Sequence, residues 1–236
     1  ALASYAKFQN KVEEQEEWLK PLLEKGGGVA DAWSQMAEIK KSQGLLKEAE
    51  ANYSKAIKLR GLIHADYMQR ALVRIALNDF KSAGEDIALL KAANLQWPTI
   101  AHAEGLIEYL NKNYDQAQSK LVNVNTKFPN FAPTQLILGL VHYQKGNYQR
   151  AVQLLEKFVS ISPDAYQPNL VLSAASLKLG QLEAAISRLE KMQKTHPDDS
   201  RVLAMLGKAY ISNNSIDRGI KLLRNVAGHR VEIVDR

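Results

Sequence analysis

Histidine is the side chain most often used for metal binding and for proton transfer near neutral pH, and this 236-residue sequence contains five. A helical zinc motif places two histidines four residues apart, on one face of a helix. The histidines here are His64, His102, His142, His196 and His229, and no two of them have that spacing. Because the sequence also lacks cysteine, it has no thiolate ligand, cysteine nucleophile or disulfide. We therefore expect neither a metal nor a cofactor.

Acidic clusters, a glycine run and a basic stretch are the other candidates for chemistry. The glutamates of residues 13–17 lie on a predicted helix surface, and residues 198–199 precede a helix start, where negative charge is stabilising. Neither cluster is an enclosed carboxylate pair of the kind that acid–base catalysis requires. The glycines at 26–28 follow no strand and precede no Gly-Lys-Ser, so they are interpreted as a turn and not as a phosphate loop. These patterns predict a protein that is not an enzyme.

The net charge of +6 is spread over the sequence, and its densest basic part is residues 218–230. No aromatic residue alternates with Arg218, Lys221, Arg224 and Arg230, as a nucleic-acid platform would require. We interpret this stretch as a solvated helix face and expect no nucleic-acid partner. No run of about 18 apolar residues occurs, so we expect no direct membrane insertion.

The elements that position these side chains follow from a 34-residue period, repeated six times from residue 30 to residue 233. With Ala30 as position 1, positions 8 and 20 are always small, and position 24 is always large and apolar. Position 8 holds Ala37, Ala71, Gly105, Gly139, Ser173 and Gly207; position 20 holds Ala49, Ala83, Ala117, Ala151, Ala185 and Gly219; position 24 holds Tyr53, Ile87, Leu121, Leu155, Leu189 and Leu223. Small residues let two antiparallel helices approach closely, and the large residue fills the space one turn further on. A period of this length is typical of stacked helical repeats.

Turn residues divide each copy into two helices. Gly44, Asn78, Gly146 and Gly180 lie at or beside position 15, and Pro129, Pro163 and Pro197 at position 32 end the second helix. The pattern predicts first helices at 31–43, 65–77, 98–111, 133–145, 167–179 and 200–212, and second helices at 46–60, 80–93, 114–127, 148–161, 182–195 and 216–228. No segment alternates with period two, so we predict no strands.

This pattern resembles the tetratricopeptide repeat (TPR) family. The fourth copy matches best, through Gly139, Tyr143, Gly146, Tyr148, Ala151 and Pro163. The resemblance implies an all-α fold, a right-handed α-solenoid of stacked helix-turn-helix units. We assign these units to residues 30–63, 64–97, 98–131, 132–165, 166–199 and 200–233, followed by a truncated tail at 234–236.

Residues 1–29 are interpreted as an incomplete N-terminal repeat. Its second helix would span residues 13–26 and bury Trp18, Leu19, Leu22 and Leu23, with Leu2, Tyr5 and Phe8 in a remnant of the first. One longer helix from Ser4 to Glu24 is the alternative. The sequence starts without methionine and ends without a polar capping helix, so we expect a fragment of a longer protein.

In TPR proteins the first helices line a concave groove in which partners bind, and positions 2, 5, 9 and 12 face it. Members of the family that grip charged peptide ends carry Lys, Asn and Arg there, whereas the middle copies here are mainly apolar. The candidate groove residues are Met68, Leu72, Ile75, His102, Leu106, Tyr109, Leu136, Leu140, Tyr143, Leu170, Ala174 and Leu177. The outer copies are more polar, with Ser34, Glu38 and Lys41 at one end and Ala204, Lys208 and Ile211 at the other.

An exposed apolar surface of this extent marks an interaction site, so we expect a scaffold that binds a protein or an extended peptide. Two alternatives remain for these side chains: they pack first helices together, or flanking parts of a longer protein fill the groove. A saccharide-binding module, with Tyr109 and Tyr143 as platforms, and a self-associating structural solenoid are the alternative functions.

The segment 138–148, with Gly105, Leu106, Tyr114 and residues 206–210, resembles the TPR lipoproteins that accompany the PEP-CTERM/exosortase system of Gram-negative bacteria. That resemblance implies a role in envelope protein sorting or exopolysaccharide assembly. It also implies a periplasmic or outer-membrane-anchored full-length protein. The cysteine-free composition itself is compatible with either redox compartment, the cytoplasm included.

Opposite charges also occur one period apart. Arg70 and Arg74 hold positions 7 and 11 of the second copy, and Glu104 and Glu108 hold them in the third. We predict structural ion pairs between these stacked helices, because pairing offsets much of the cost of burying a charge. Side chains that extend along the helices to solvent are the alternative. His142, at position 11 of the fourth copy, is predicted to be a packed core histidine.

Overall fold

A computed structural model describes the backbone of residues 2–24, 29–61 and 63–234, and the side chains of residues 11–24, 29–61, 63–224 and 226. Within these residues the protein forms thirteen α-helices and no strand. The N-terminal helix is α1 (Leu2–Glu24). The first helices of the repeats are α2 (Ala30–Ser42), α4 (His64–Ala76), α6 (Pro98–Leu110), α8 (Ala132–Gln144), α10 (Tyr166–Lys178) and α12 (Ser200–Ser212). The second helices are α3 (Leu46–Arg60), α5 (Phe80–Ala92), α7 (Tyr114–Lys127), α9 (Tyr148–Ile161), α11 (Leu182–Thr195) and α13 (Ile216–Val234).

These bounds confirm the predicted helices to within one residue, with one exception. The last helix, α13, continues to Val234 instead of ending at residue 228. The described part of the chain includes no helix with the length and apolar character that crossing a membrane requires.

The turn inside each repeat has a residue with positive φ at position 15. The φ values lie between 61° and 76° at Gly44, Asn78, Lys112, Gly146, Gly180 and Asn214. In the first repeat the amide of Leu45 donates to the carbonyl oxygen of Lys40 across 2.9 Å, which satisfies a free carbonyl at the end of α2. Glycine and asparagine adopt this backbone conformation most easily, so five of the six residues suit the turn and Lys112 does not. The sequence predicted the turn at Gly44, Asn78, Gly146 and Gly180 and missed it at Lys112 and Asn214.

The two helices of a repeat approach each other closely at glycines of positions 8 and 20, in agreement with the sequence pattern. A Cβ atom added to Gly219 would lie 2.6 Å from the carbonyl oxygen of Gly207 on the facing helix. One added to Gly139 would lie 2.9 Å from Cγ of Leu155, the large residue at position 24. Because these distances are shorter than carbon contacts allow, the two helices of a repeat could not pack this closely around larger side chains.

The chain divides into two compact units, unit 1 up to Ile107 and unit 2 from Glu108. Each unit contains several small hydrophobic clusters that consecutive helices share. In unit 1 one cluster joins α4, α5 and α6 around Leu90, which is fully buried. In unit 2 one cluster joins α9 and α10 around Leu155, and the next joins α10, α11 and α12 around Leu189. This series of local clusters is the packing expected of stacked repeats.

Residues 2–24 form one helix, so the predicted helix pair of an incomplete repeat is wrong and the single-helix alternative holds. No glycine or proline interrupts the chain before Pro21, which leaves no turn at which two helices could separate. Helix α2 packs against α1 and covers the face that carries Leu19 and Leu23. Trp18 and Leu22 were predicted to be buried as well. That prediction is wrong, because Trp18 is 79% exposed and Leu22 47%. The glycine run at 26–28 and the side chains of residues 2–10 lie outside the described part.

Candidate partner-binding surface

In unit 1 the candidate groove residues fall into two groups. Met68, Ile75 and His102 are 3% to 7% exposed and belong to the interior. Leu72 and Leu106 are half-buried and pack against the cluster that joins α4, α5 and α6, so part of each side chain stays open to solvent. The second and third repeats therefore present leucines at position 9, Leu72 and Leu106, while their residues at position 5, Met68 and His102, are core.

In unit 2 the candidate residues lie on α8 and α10, which contact each other. Leu170 is 9% exposed and packs in the core. The others on these helices are half-buried, and we call them the unit 2 apolar strip: Leu136, Leu140 and Tyr143 of α8, with Ala174 and Leu177 of α10. Tyr109, on the part of α6 that belongs to unit 2, is also half-buried.

The structure thus places four of the twelve candidates in the core. Met68, Ile75, His102 and Leu170 cannot offer contact area to a partner without unpacking their clusters, because buried side chains are close-packed. The side chains of the other eight candidates are partly exposed, so the predicted partner-binding surface consists of these eight residues.

Two tyrosine pairs accompany these residues. The rings of Tyr143 and Tyr148 meet at 60° with centroids 5.7 Å apart, and those of Tyr109 and Tyr114 at 49° and 6.0 Å. Burial raises the pKa of Tyr143, and the neighbouring Tyr148 adds to the effect. Both groove tyrosines therefore stay neutral at physiological pH, with apolar ring surface beside a hydroxyl that can donate a hydrogen bond.

The N-terminal end of unit 1 is polar. The hydroxyl of Ser34 donates to Asp66 across 2.9 Å, and Arg60 donates to the other oxygen of Asp66 across 2.7 Å. Lys41 forms an ion pair with Glu38 and donates to Gln69. At the other end of the chain Lys208 and Ile211 are exposed, and Ala204 is half-buried.

The arginines of the second repeat form buried ion pairs, but not with the predicted partners. Nε and Nη2 of Arg70 donate to Asp86 across 3.0 Å and 2.6 Å, and Nη1 donates to Ser54. Arg74 donates to Asp86 through Nη1 across 2.9 Å and to Glu50 through Nε and Nη2. All three nitrogens of each guanidinium are therefore engaged.

The acidic residues of the third repeat are paired elsewhere too. Glu104 accepts from Lys91 across 2.8 Å, and Glu108 lies 3.5 Å from the ammonium of Lys120. The predicted ladder of Arg70 with Glu104 and Arg74 with Glu108 is thus wrong in its pairing. Arg70, Arg74 and Glu108 reach position 23 on the second helix of their own repeat, where Asp86 and Lys120 lie. Arg74 and Glu104 also contact the preceding repeat, at Glu50 and Lys91.

His142 is a packed core histidine, as predicted, with 4% of its surface exposed. Burial lowers its pKa, and the charges of Arg150 and Lys145 lower it further. Among the described side chains no group of three or more His, Cys, Asp or Glu residues could hold a metal ion. In the basic stretch Lys221 and Arg224 are exposed on α13, whereas Arg230 and His229 lie outside the described side chains.

The repeated helix pairs match models of a known protein family. Family models described as tetratricopeptide repeat match residues 30–61, 102–166, 142–209 and 176–230, and together they cover more than half of the chain. The chain belongs to the TPR family. The search of curated proteins yields no significant match to this TPR sequence.

Many solved structures share the fold. A tetratricopeptide repeat protein from Parabacteroides merdae is 17% identical with a TM-score of 0.63, and the alignment covers 96% of this chain and 91% of that one. PilF from Pseudomonas aeruginosa is 18% identical with a TM-score of 0.68, over 82% of this chain and 88% of that one. The APC/C hetero-tetramer Cut9–Hcn1 matches with 15% identity and a TM-score of 0.75, over 93% of this chain but only 43% of that one. At these identities the similarities establish the fold alone.

Proposed function

We propose that this TPR protein is a non-enzymatic scaffold that captures a protein or an extended peptide on the half-buried apolar residues of its first helices. The unit 2 apolar strip carries this proposal, because adjacent helices there present leucine and tyrosine side chains that are only partly covered. TPR proteins in general bind protein or peptide partners, and the similar chain in the Cut9–Hcn1 structure is part of a hetero-tetramer.

The binding mechanism relies on a surface that is formed before the partner arrives. Leu136, Leu140 and Tyr143 pack against the cluster around Leu155, so their covered atoms are held in place. Binding then orders few receptor side chains, and each rotamer that is already fixed saves about 0.5–1.5 kcal/mol of association free energy. An extended segment that places apolar side chains along the strip would bury them against α8 and α10.

The proposal also includes the cellular process and the compartment in which the protein works. The resemblance of residues 138–148 to the PEP-CTERM/exosortase lipoproteins supports a role in envelope protein sorting or exopolysaccharide assembly. A full-length protein with this role would work in the periplasm or at the outer membrane. Protease accessibility in intact cells and spheroplasts tests the location, and secreted-polysaccharide yield in a deletion strain tests the role.

Substitution at position 9 tests partner binding. Leu106→Asp and Leu140→Asp place a charge on the half-buried surface of each unit, and we expect loss of partner capture in pull-downs from the native organism. Leu89→Asp and Ile161→Asp are the matched controls, since those residues are 47% and 63% exposed on second helices. The controls should retain capture.

The far-ultraviolet circular dichroism spectrum of every variant must keep its helical shape for the comparison to count. Leu106→Ser and Leu140→Ser, which remove the apolar surface without adding charge, replace any aspartate variant that unfolds. Equal capture by folded position-9 variants and by the wild type would contradict the proposal.

A further inference from the structure

A cavity of about 580 Å³ opens in unit 2 between the second helices α9 and α11, beside the start of α10. Its walls include Val159 of α9, Tyr166 and Asn169 of α10, and Arg188, Lys191 and Met192 of α11. None of its lining residues belongs to the unit 2 apolar strip. The volume lies within the range of about 300–1,000 Å³ that is usual for small-ligand sites.

Arg188 is the distinctive residue of this cavity. Its Nη1 is buried and has no hydrogen-bond partner among the described residues. Burial lowers the pKa of the Arg188 guanidinium, and the charge of Glu156 on α9 only partly offsets that effect. Because an arginine keeps its proton in proteins, the cavity wall holds a charged donor that the described residues leave unsatisfied, which is costly.

Arg188 differs from the other charged residues at the same position of the repeat. Arg188 occupies position 23, the same position as Asp86 in the second repeat and Lys120 in the third. Asp86 is neutralised by arginines at positions 7 and 11, and Lys120 lies beside Glu108 at position 11. In the fifth repeat positions 7 and 11 are Leu172 and Ser176, which are buried and carry no charge. Two charged residues at position 23 thus have partners of opposite sign within their own repeat, and Arg188 does not.

The lining of the cavity restricts what could supply the missing anion. The lining residues Arg188, Lys191 and Asp164 carry one net positive charge, and Glu156 acts on Arg188 from α9 beside them. So small a positive charge suits a monoanion better than a phosphate dianion. A guanidinium also matches the planar, two-oxygen geometry of a carboxylate. Val159 and Met192 provide apolar surface beside it for the rest of the ligand.

We propose that this cavity binds a carboxylate carried on an apolar body, with Arg188 as the residue that pairs with it. The carboxylate could belong to a free amphipathic acid or to an acidic side chain of a peptide. Both sources place the same group on Arg188, and the site is independent of the groove on the first helices.

Titrations monitored by ¹H–¹⁵N NMR test the proposal with probes of defined chemistry. Hexanoate and the peptide N-acetyl-Leu-Glu-Leu-amide should shift the amide signals of Ser187, Arg188 and Thr195 saturably. Hexanol and the Gln counterpart of the peptide, which lack the carboxylate, should bind at least about tenfold more weakly. Tighter binding of hexanoate would identify a free acid as the source, and tighter binding of the Glu peptide would identify a side chain.

Arg188→Met should weaken hexanoate and Glu-peptide binding by about tenfold or more, while its unfolding midpoint stays at or above that of the wild type because an unpaired charge is removed. Lys194→Met is the matched control, since it removes one exposed charge from α11 outside the cavity. Arg188→Gln provides the same test should the methionine variant not fold.

The proposal would be overturned by the absence of saturable shifts with both carboxylates, by equal binding of hexanol, by preferential binding of hexyl phosphate, or by wild-type affinity in the folded Arg188 variants.

Discussion

Asp86 is the buried acidic residue that Arg70 and Arg74 share in the second repeat. Its side chain is 2% exposed and accepts three hydrogen bonds, two from Arg70 and one from Arg74. Arg70 and Arg74 are themselves only 13% and 15% exposed. Asp86→Asn keeps the shape of the side chain and removes its negative charge, so it isolates the electrostatic contribution.

The expected cost follows from these contacts. Removing the acidic partner of a buried ion pair typically destabilises by about 3–5 kcal/mol, because the remaining charge stays buried and unpaired. Among the described residues Arg70 has no other acidic hydrogen-bond partner, whereas Arg74 still has Glu50, whose side chain is 28% exposed. We therefore expect a loss of about 3–5 kcal/mol, most of it from Arg70. In the wild type burial opposes the charge of Arg70 and Asp86 raises the pKa of its guanidinium. In the variant Asp86 no longer helps, but an arginine keeps its proton in proteins, so Arg70 does not escape the cost by becoming neutral.

Urea unfolding followed by circular dichroism at 222 nm measures the cost. Amide hydrogen exchange in α4 and α5 localises it, which matters because repeat arrays need not unfold in one step. Asp115→Asn is the control, since that side chain is 90% exposed in its ion pair with Lys145 and should cost only about 0–1 kcal/mol. The triple variant Arg70→Met, Arg74→Met, Asp86→Leu replaces the whole network and should fall within about 1–2 kcal/mol of the wild type.

A loss below about 1 kcal/mol for Asp86→Asn would refute the reasoning, since it would mean that both guanidiniums reach water without Asp86. A triple variant as unstable as Asp86→Asn would refute the expectation that replacing the whole network preserves stability. The free-energy penalty would then come from packing and not from unpaired charge.

Two further predictions concern pH and packing. Burial lowers the pKa of His102 from 6.5 to about 4, so the unfolded chain binds the proton first, and stability is lost as the pH falls from about 6.5 toward 4. Urea titrations at pH 7 and pH 5 should show about 2 kcal/mol more loss in the wild type than in His102→Gln, and equal losses would contradict the assignment. Gly219→Ala should destabilise by about 1–3 kcal/mol, because the new Cβ would meet the carbonyl oxygen of Gly207 at 2.6 Å. Gly84→Ala, whose Cβ would meet no atom within 4 Å, should stabilise by about 0.5–1 kcal/mol in the same thermal melts, and a common sign for the two variants would contradict the close-approach argument.

The helices could be predicted from the sequence because their determinants are local and repeat six times. Each copy carries its own small residues at positions 8 and 20 and its own turn residue near position 15. The N-terminal helix was mispredicted because the period was extended to residues that lack these local signals. Extending the period backwards implies a turn that residues 2–20 do not contain.

The candidate surface was only partly predictable, because sequence position does not separate half-buried from buried residues. Position 9 is half-buried in all four middle repeats, through Leu72, Leu106, Leu140 and Ala174. Position 5 is buried in three of them, through Met68, His102 and Leu170. Both positions read as apolar residues on a first helix, and only the packing of the neighbouring second helices decides which side chains stay open.

The ion pairs were mispredicted because equivalent positions were compared along the period. Arg70 and Arg74 instead contact position 23 of their own repeat, Asp86, and Arg74 also contacts Glu50 of the preceding repeat. Once that rule is known, the charge of Arg188 opposite Leu172 and Ser176 becomes visible in the sequence itself.

Site-specific photo-crosslinking in the native organism tests the central claim, capture of a partner by the first helices, most directly. The full-length protein would carry a benzophenone amino acid at position 140 in the unit 2 apolar strip or, as the control, at position 161, which is 63% exposed on α9. We predict a discrete crosslinked protein band from position 140 that position 161 does not give. Crosslinks of the same partner from position 161 and none from position 140 would contradict the account.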